Sequence, residues 1–360
     1  MNICVVDPLK LKGGQEKFIL ELSENLNNYF NIHFLSENFS AFRNHKFGES
    51  ISLINFGSFF RFKTLFCAYR YFKNNDIKLL ILNGERSLFT GVFLAIFLPR
   101  IKTLYINHLI FETSLSKIFF IKRIFYSFFY YWAAKNVDYF VSISSSAEFC
   151  KNNLKYKGPH LSYIDNAIKQ IEFNKKISRS DFNILPYEVL VGFVGRVDKQ
   201  KDVETLIKAV NYCDENIKFL IVGDGPQLNY LKSLILPYNS NKIIFVGYTE
   251  NPWDYANIFD IVVFPSLYEG LSLSLLEAMS LKLPIIASDI PSFRHCLSSE
   301  GSCLYFEPSN VRDLANKINK LASNSEPRNH IKSNAHNVYQ NRFNYNDMTL
   351  KYVNLIKSII

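Results

Sequence analysis

The feature that most constrains the fold is a repeated series of short apolar runs, each followed by a segment with helical periodicity. The first half contains NICVVD, KLLILN, IKTLYIN and VDYFVSIS, and the second half contains VLVGFVGR, IKFLIVGDG, KIIFVGY, IVVFPS and PIIAS. Continuous Val, Ile, Leu and Phe is typical of strands that are covered on both faces of a parallel sheet. The chain is therefore predicted to be α/β, with two doubly wound parallel sheets.

The two series are separated by a polar, weakly periodic segment, KQIEFNKKISRSDFNILPYE. We interpret residues 169–187 as a linker between an N-terminal domain, residues 1–168, and a C-terminal domain, residues 188–340. Residues 341–360 are predicted to form a helix that can return to the N-terminal domain. A chain of 360 residues agrees with two domains. Ligands of such sheets bind beyond the carboxyl ends of the strands.

Composition excludes several classes of protein. The chain is 48% hydrophobic, which is too apolar for a disordered protein. The N-terminus, MNICVVDPLK, lacks the basic and long apolar regions of a signal peptide, and the longest uncharged apolar stretch, residues 87–99, is short of a membrane span. The cysteines lack the spacing of metal or redox sites and fit buried thiols in a reducing cytosol. They are Cys4, Cys67, Cys150, Cys213, Cys296 and Cys303.

Positive charge is concentrated in the first half of the chain. Residues 1–180 hold 24 Lys and Arg against 13 Asp and Glu, whereas residues 181–360 hold 17 against 19. Two segments of this half, residues 59–73 and 115–135, interleave cations with many Phe and Tyr, which suits an anionic membrane surface. RNA is the competing partner, but no RNA-binding motif is present. Buried helices whose cations reach solvent explain the pattern equally well. The cations of the second segment include Lys117, Lys122 and Arg123.

Two features of the N-terminal domain are candidates for ligand contacts. Gly13 and Gly14 lie between the first strand and the first helix, where paired glycines let the backbone approach a ligand and the helix start offers N–H groups to an anion. A plain connection is at least as frequent at such a position. His108 ends the strand TLYINH, and a lone histidine is more often a structural residue than a catalytic one.

The C-terminal domain offers two cations after its first strand. Arg196 and Lys201 lie in GRVDKQKD, where a forked donor and a point charge suit a diphosphate. A solvated basic loop is an equally good interpretation. The later motif VGDGPQL lacks the third glycine of a dinucleotide fingerprint, so NAD binding is disfavoured.

The segment EGLSLSLLEA carries two glutamates eight positions apart. Glu269 is predicted to lie before a helix that starts at about Leu271, with Gly270 allowing the turn, and Glu277 lies two turns into it. A diphosphate at the helix start would place a sugar near Glu269 and a ribose near Glu277. The alternative is one acid at the helix mouth and one on its solvated side. The N–H groups expected to face the anion are those of Leu271, Ser272 and Leu273.

Taken in order, these motifs resemble those of the retaining glycosyltransferases of family 4. The matching elements are GGQE, IDNAI, GFVGRVDKQKD, VGDGP, VVFPSLYEG and the glutamate pair. The resemblance implies the GT-B fold, in which two Rossmann-like domains face each other across a cleft. It also implies a nucleotide-sugar donor that is bound mainly by the C-terminal domain.

The resemblance further implies a role for each matching residue. Arg196 and Lys201 would hold the diphosphate, Glu277 the ribose and Glu269 the transferred sugar. His108 would approach the sugar near the reacting carbon, and Gly14 the phosphate. No metal ion or other cofactor is implied, because cations and a helix N-terminus act in its place. The expected catalytic set is His108, Glu269, Arg196 and Lys201, and the expected donor-binding set is Gly13, Gly14, Arg196, Lys201, Gly270, Leu271, Ser272, Leu273 and Glu277.

The expected function is that of a hexosyltransferase that retains anomeric configuration. It would move a sugar from a UDP- or GDP-sugar to a hydroxyl of a growing, lipid-linked surface glycan of the O-antigen, capsule or lipopolysaccharide type. It would work at the cytoplasmic face of the inner membrane, bound peripherally, without nucleic acid. Three alternatives remain at this point: a nucleotide-sugar 2-epimerase of GT-B fold, an NAD-dependent oxidoreductase, and a non-catalytic protein that binds a sugar nucleotide or RNA.

Overall fold

The computed structural model describes most of the chain, and the structural statements below concern its described residues alone. These are residues 1–7, 14–36, 52–55, 62–108, 129–130, 132–143, 160–171, 173 and 175–360. Within them the chain forms two compact units, one made of Met1–Asn166 with Tyr345–Ile360 and the other of Ala167–Asn344. The segment interpreted as a linker therefore belongs to the second unit.

The first unit contains a parallel sheet with the strand order β3-β2-β1-β4-β5-β6-β7. Its strands are β1 (Asn2–Val6), β2 (Asn31–Ser36), β3 (Ser52–Asn55), β4 (Ile77–Asn83), β5 (Lys102–Asn107), β6 (Tyr139–Ser142) and β7 (Leu161–Tyr163). Helix α1 (Gly14–Leu26) follows β1, α2 (Phe62–Asn74) follows β3 and α3 (Gly84–Phe97) follows β4. This order confirms the parallel sheet predicted from the apolar runs.

One layer of helical segments covers one side of the first core. Phe72 of α2, Leu88 of α3 and Tyr130 share a single buried cluster with Leu80 of β4 and Phe140 of β6. Because these segments bury their inner faces against the same core, their outer faces belong to a common surface. None of the described helices is both long enough and apolar enough to cross a lipid bilayer.

The second unit repeats the design with the strand order β10-β9-β8-β11-β12-β13, again all parallel. Its strands are β8 (Val189–Val194), β9 (Ile217–Val222), β10 (Ile243–Gly247), β11 (Ile261–Phe264), β12 (Ile285–Ser288) and β13 (Leu304–Phe306). Its α-helices are α4 (Val203–Ala209), α5 (Leu228–Ser233), α6 (Leu273–Ser280), α7 (Pro291–Cys296), α8 (Val311–Ser323) and α9 (Ser325–Arg342). Every residue of β8 and β11 is buried, as expected for strands covered on both faces.

The last helix, α10 (Tyr345–Ile359), belongs to the first unit although it follows the second in sequence. The side-chain amide of Asn25 in α1 donates to the Tyr345 hydroxyl at 3.0 Å, and the ring centroids of Phe18 and Tyr352 lie 6.3 Å apart. The polypeptide thus leaves the second unit between Arg342 and Tyr345 and ends against α1.

The loops that follow β8 and β9 pack closely against each other. The strands pair in register up to Val194 and Val222, so both loops begin at the same level of the sheet. Gly223 adopts a φ of +138°, and a Cβ added there would lie 1.9 Å from the carbonyl oxygen of Gly195. The VGDGP glycine is therefore required by backbone packing, and the β9 loop supports the loop that carries Arg196.

This packing predicts a position-specific effect of a single methyl group. We expect Gly223→Ala to lower the free energy of unfolding by about 1–3 kcal/mol more than Gly247→Ala, because only the former creates an overlap in addition to positive-φ strain. Gly247 also has a positive φ of +83°, but nothing lies within 4 Å of its added Cβ. Thermal or denaturant unfolding of both variants measures the difference. Equal losses would contradict the close approach of the two loops.

Candidate active site

The loop after β8 is organised by one buried carboxylate, Asp198. Its Oδ2 accepts a hydrogen bond from Nε of Arg196 at 2.7 Å, and its Oδ1 accepts from the backbone N–H of Lys201 at 3.1 Å. The Arg196 side chain nevertheless remains 68% exposed. Asp198 therefore fixes the loop and presents an accessible guanidinium at the carboxyl edge of the sheet. The sequence analysis missed Asp198, although its position between the two predicted cations was visible in GRVDKQK.

The two residues predicted to contact different parts of a donor form an ion pair. Nζ of Lys201 lies 2.6 Å from Oε1 of Glu269, and their side chains are 19% and 8% exposed. Ser266 donates its hydroxyl to the same Oε1 at 2.7 Å, while Gln200 approaches Oε2 at 3.3 Å. Lys201 is thus not a freely solvated cation, and the basic-loop interpretation fails for it.

Backbone and side-chain bonds tie the β8 loop to the loop before α6. The Leu267 N–H donates to the Gln200 carbonyl at 2.9 Å, and the Gln200 side-chain amide donates to the Tyr268 carbonyl at 3.1 Å. These two contacts flank the Lys201–Glu269 pair. The positions of Lys201 and Glu269 are therefore set by each other and by the backbone around them.

The start of α6 corrects the predicted helix boundary. The helix begins at Leu273 rather than at about Leu271, with Ser272 as its N-cap. The Ser272 carbonyl already accepts from the Leu275 N–H at 3.1 Å. The N–H groups left without an intrahelical acceptor are consequently those of Ser272, Leu273 and Ser274, and Leu271 leaves the predicted set. The predicted start was two residues too early, because Gly270 to Ser272 form the turn that leads into the helix.

The Ser272 side chain makes no cap of its own helix. Its Oγ is buried and has no hydrogen-bond partner among the described residues. An N-cap hydroxyl normally accepts from a first-turn N–H. Here that acceptor is not used, and no other described residue accepts from the N–H groups of Ser272, Leu273 and Ser274. Within the described part of the chain these groups are therefore available to an anion, whose binding the helix dipole favours.

Glu277 is a buried carboxylate rather than a solvated one. It is 7% exposed, and its Oε2 accepts a hydrogen bond from Nε1 of Trp253 at 2.7 Å. Trp253 is itself buried, in the 3₁₀ turn Pro252–Ile258. The alternative in which this acid lies on the wet side of the helix is therefore wrong. The sequence analysis missed Trp253, for which the available signal was its position in NPW after a predicted strand.

The first unit carries the remaining predicted site residues, Gly13, Gly14 and His108. Gly14 is the first residue of α1, whereas Gly13 lies outside the described residues. His108 follows β5 and is 5% exposed, with its Nε2 2.7 Å from Oδ1 of Asn83 and its Nδ1 3.4 Å from Nδ2 of Asn166. Burial lowers the pKa of His108 to about 4, so the ring is neutral at pH 7. Its contact with a sugar stays a prediction.

The described residues contain no group of three or more His, Cys, Asp or Glu side chains arranged to hold a metal ion. The candidate site of the second unit instead combines an exposed guanidinium, a buried ion pair, a helix start with available N–H groups and a second buried carboxylate. Such a set has the donors and acceptors that suit one anion flanked by hydroxyl groups. Arg196, Lys201, Glu269 and Glu277 are all contributed by this one unit.

Comparison with known proteins identifies the family of this unit. Residues 174–338 match the family model described as glycosyl transferases group 1. The second unit belongs to this family. The matched range contains both loops, the ion pair and α6, so the site just described lies within the group 1 region.

Curated relatives of the chain are glycosyltransferases as well. The O-antigen biosynthesis glycosyltransferase WclY of Escherichia coli is 28% identical over 228 residues, which is 63% of this chain and 60% of WclY. An Escherichia coli UDP-Gal:α-D-GlcNAc-diphosphoundecaprenol α-1,3-galactosyltransferase is 27% identical over 233 residues, covering 59% of this chain and 57% of that enzyme. The chain thus spans about three fifths of the length of these relatives.

Solved structures confirm the GT-B fold of the chain. HepE of Anabaena, solved in complex with UDP, has a TM-score of 0.83 at 18% identity and is covered completely by 99% of this chain. A glycosyltransferase of Rickettsia africae also scores 0.83 at 18% identity, with 99% of this chain and 98% of that chain covered. At this identity the likeness establishes two Rossmann-like units of the GT-B type and no specific activity.

The ion pair predicts a measurable coupling between two loops. We expect Lys201→Met and Glu269→Gln each to lower the free energy of unfolding by about 1–3 kcal/mol, since each leaves a largely buried polar partner unsatisfied. The double variant should lose less than the sum of the two, by about 0.5–3 kcal/mol. Denaturant unfolding of all four proteins gives the coupling.

The exposed pair Lys208–Glu204, at 2.6 Å within α4, is the matched control. Its equivalent cycle should give only about 0.3–0.5 kcal/mol, because both side chains are solvated. If the two cycles gave the same coupling, the Lys201–Glu269 pair would not be a buried constraint on the site.

Proposed function

We propose that the chain is a glycosyltransferase that moves a sugar from a nucleotide-sugar donor to a hydroxyl of a growing surface glycan. The observation that carries this proposal is the set of groups around the start of α6, within the unit that matches the group 1 glycosyltransferases. These groups are the Lys201–Glu269 ion pair, Glu277 with its hydrogen bond from Trp253, and the available N–H groups at the helix start. The glycan assignment is supported by the relatives, whose names refer to O-antigen and to a diphosphoundecaprenol-linked acceptor.

The nucleotide end of the donor is assigned to Glu277. A ribose offers two neighbouring hydroxyls, and a carboxylate accepts both well. Trp253 holds one carboxylate oxygen at 2.7 Å, which fixes the orientation of the group before the ligand arrives. The UDP complex of HepE supports UDP as the nucleotide for a chain of this fold.

The transferred sugar is assigned to Glu269. Its Oε1 already accepts from Lys201 and Ser266, which uses both lone pairs of that oxygen. Among the described residues, its Oε2 accepts only the longer 3.3 Å bond from Gln200, and it retains capacity for another donor. A sugar hydroxyl would therefore bond to Oε2, while Lys201 keeps the buried carboxylate neutralised.

The departing diphosphate is assigned to Arg196 and to the N–H groups that begin α6. Negative charge grows on the leaving oxygen as the sugar bond breaks, and fixed donors aimed at that charge lower the barrier. Arg196 is held by Asp198 but remains exposed, so it can approach an anion without unfolding its loop. No metal ion or cofactor is included in the proposal, since these groups supply the positive field.

The proposed stereochemistry is retention. The acceptor hydroxyl would attack from the side of the leaving diphosphate, through an ion-pair-like transition state in which the sugar carbon carries positive charge. A lipid-linked glycan is the proposed acceptor, by analogy with the diphosphoundecaprenol-linked substrate named for a relative.

Transfer itself is tested with a panel of UDP-, GDP- and ADP-sugars, with and without a lipid-linked acceptor. We expect nucleotide release that depends on the acceptor, and Arg196→Ala should reduce it by about 10²–10³-fold because a leaving-group cation is lost. Arg196→Ala should remain folded at the assay temperature, although Asp198 loses a hydrogen-bond partner and the thermal stability falls modestly. Release of nucleotide with an epimerised free sugar and no acceptor would replace transfer by epimerisation.

The two glutamates should fail in different ways when each is replaced by glutamine. Glu277→Gln should weaken the affinity for free nucleotide by about 1.5–3 kcal/mol, since a charged hydrogen bond to the ribose is lost. Glu269→Gln should instead depress kcat and leave nucleotide affinity nearly intact, as expected for a contact made to the transferred sugar. Calorimetric titration of UDP and GDP, together with the kinetics of transfer, separates the two effects.

Trp253→Phe serves as the matched test of the Glu277 assignment. It preserves the aromatic bulk and removes the N–H that orients the carboxylate, so nucleotide affinity should fall in the same direction as in Glu277→Gln. If both glutamate variants lost nucleotide equally, or if neither lost any, the two residues would not bind opposite ends of one donor.

We also propose that the protein works while bound peripherally to an anionic membrane through the first unit. The common helical surface of that unit exposes large apolar side chains together with the cations Arg70, Lys73, Arg100 and Lys135. This combination suits the interface of an anionic bilayer. The exposed apolar side chains are Phe66, Phe93, Ile96, Phe97, Phe129 and Trp132. Lys117, Lys122 and Arg123 lie outside the described residues.

Membrane capture should therefore depend on both salt and the apolar surface. Vesicles containing phosphatidylglycerol should sediment the protein at low salt and release it as ionic strength rises. The double substitution Ile96→Glu with Phe97→Glu should weaken capture, whereas Tyr238→Glu, on an equally exposed side chain of the second unit, should not. Capture that is indifferent to salt and to the first change would contradict the proposal.

A further inference from the structure

A chain of buried polar groups crosses the carboxyl edge of the first sheet. Asp7 follows β1, Asn83 ends β4 and His108 follows β5, and these three strands are neighbours in the order β1-β4-β5. All three side chains are at most 5% exposed. The register pairs Val6 with Leu82, so Asp7 and Asn83 lie side by side at the next level.

With Asp7 ionised, the hydrogen bonds of this buried polar network have one consistent direction. Nδ2 of Asn83 donates to Oδ2 of Asp7, and a carboxylate can only accept. The Asn83 amide is therefore oriented with its Oδ1 toward His108, whose Nε2 lies 2.7 Å away. Because Oδ1 can only accept, the His108 proton must be on Nε2.

The contact on the other side of the ring is longer and is compatible with this assignment. With the proton on Nε2, Nδ1 of His108 is an acceptor, and the group facing it at 3.4 Å is the donating Nδ2 of Asn166. The Phe18 ring of α1 meets His108 edge to face at 5.0 Å, and Tyr352 of α10 lies behind Phe18. These contacts link two titratable groups of the described residues to His108, Asp7 through Asn83 and Tyr352 through Phe18.

The orientation matters because the family resemblance predicts that His108 approaches the transferred sugar, and a histidine at that position would meet a carbon that becomes positive. A charged imidazolium there would oppose the developing charge, and the opposition is strong where water is excluded. A neutral ring whose two nitrogens are already bonded adds no charge and takes no proton from the acceptor. Burial alone favours the neutral form, but it does not choose between the two tautomers.

We propose that Asp7 and Asn83 are positioning residues that hold His108 as an uncharged ring with its proton on Nε2, and that sugar transfer requires this state. The second part of the inference rests on the proposed function, whereas the first part concerns the protein without substrate. Asp7 acts through Asn83 and contacts no substrate. Its carboxylate sets the amide orientation, and the amide sets the tautomer.

The tautomer is measured directly by long-range ¹H–¹⁵N correlation spectra of the histidine rings at pH 7, with His108→Gln used to assign the signals. We expect a neutral ring protonated on Nε2. Asp7→Asn should weaken the selection and produce a mixture, because an amide at that position can accept as well as donate. A neutral ring protonated on Nδ1, or a charged ring at pH 7, in the unsubstituted protein would overturn the proposal.

The double substitution Asp7→Asn with Asn83→Asp exchanges the carboxylate and the amide, and both hydrogen bonds can still form. The negative charge then adjoins His108, and we expect the pKa of its ring to rise from about 4 by about 1–3 units. Transfer should fall about tenfold or more below the raised pKa and recover above it, so that an acid limb follows the titration of His108. A merely structural role of Asp7 would lower activity at every pH alike.

Tyr352→Phe is the control, because it removes the other described titratable group near the ring. Its pH profile should match that of the unsubstituted protein. If the double variant titrates as expected but its transfer shows no acid limb, the requirement for a neutral ring is wrong. If no donor is turned over at all, the proposed function fails, and the spectra still decide the tautomer.

Discussion

The candidate site of the second unit depends on one buried ion pair. Lys201 and Glu269 come from two loops at the carboxyl edge of the sheet, and each would be costly to bury without the other. Their contact at 2.6 Å, together with Ser266 and Gln200, joins the β8 loop to the turn that begins α6. This contact holds the start of α6 against the β8 loop, in which Asp198 positions the exposed Arg196.

Glycine packing makes that arrangement possible. Gly223 and Gly225 let the β9 loop pack directly against the backbone of Gly195 and Val197. The β8 loop is therefore held by the β9 loop as well as by its hydrogen bonds to the turn before α6. A side chain at either glycine would push the loops apart. The VGDGP motif, which lacks a dinucleotide fingerprint, is thus a packing device, and it acts on the site through the position of Arg196 and Lys201.

The two units use buried polar groups for a common purpose. In the second unit Trp253 orients Glu277, and in the first unit Asn83 bonds His108 while bonded itself to Asp7. In each case a side chain whose donor or acceptor is fixed restricts the neighbouring polar group to one orientation. Buried polar groups must be paired, and this requirement converts packing into a defined chemical state.

The sequence by itself determined the α/β class, the two parallel sheets and the resemblance to the family 4 glycosyltransferases, because apolar runs and ordered motifs are local properties. It also placed Arg196, Lys201, Glu269 and Glu277 at strand ends and on α6. It could not show that Lys201 pairs with Glu269, that Glu277 is buried against Trp253, or that α6 begins at Leu273. Those facts depend on residues up to 68 positions apart that meet only when the strands align, and on a turn whose length local propensity does not fix. The tertiary structure therefore decided which charges are neutralised and which remain available to a ligand.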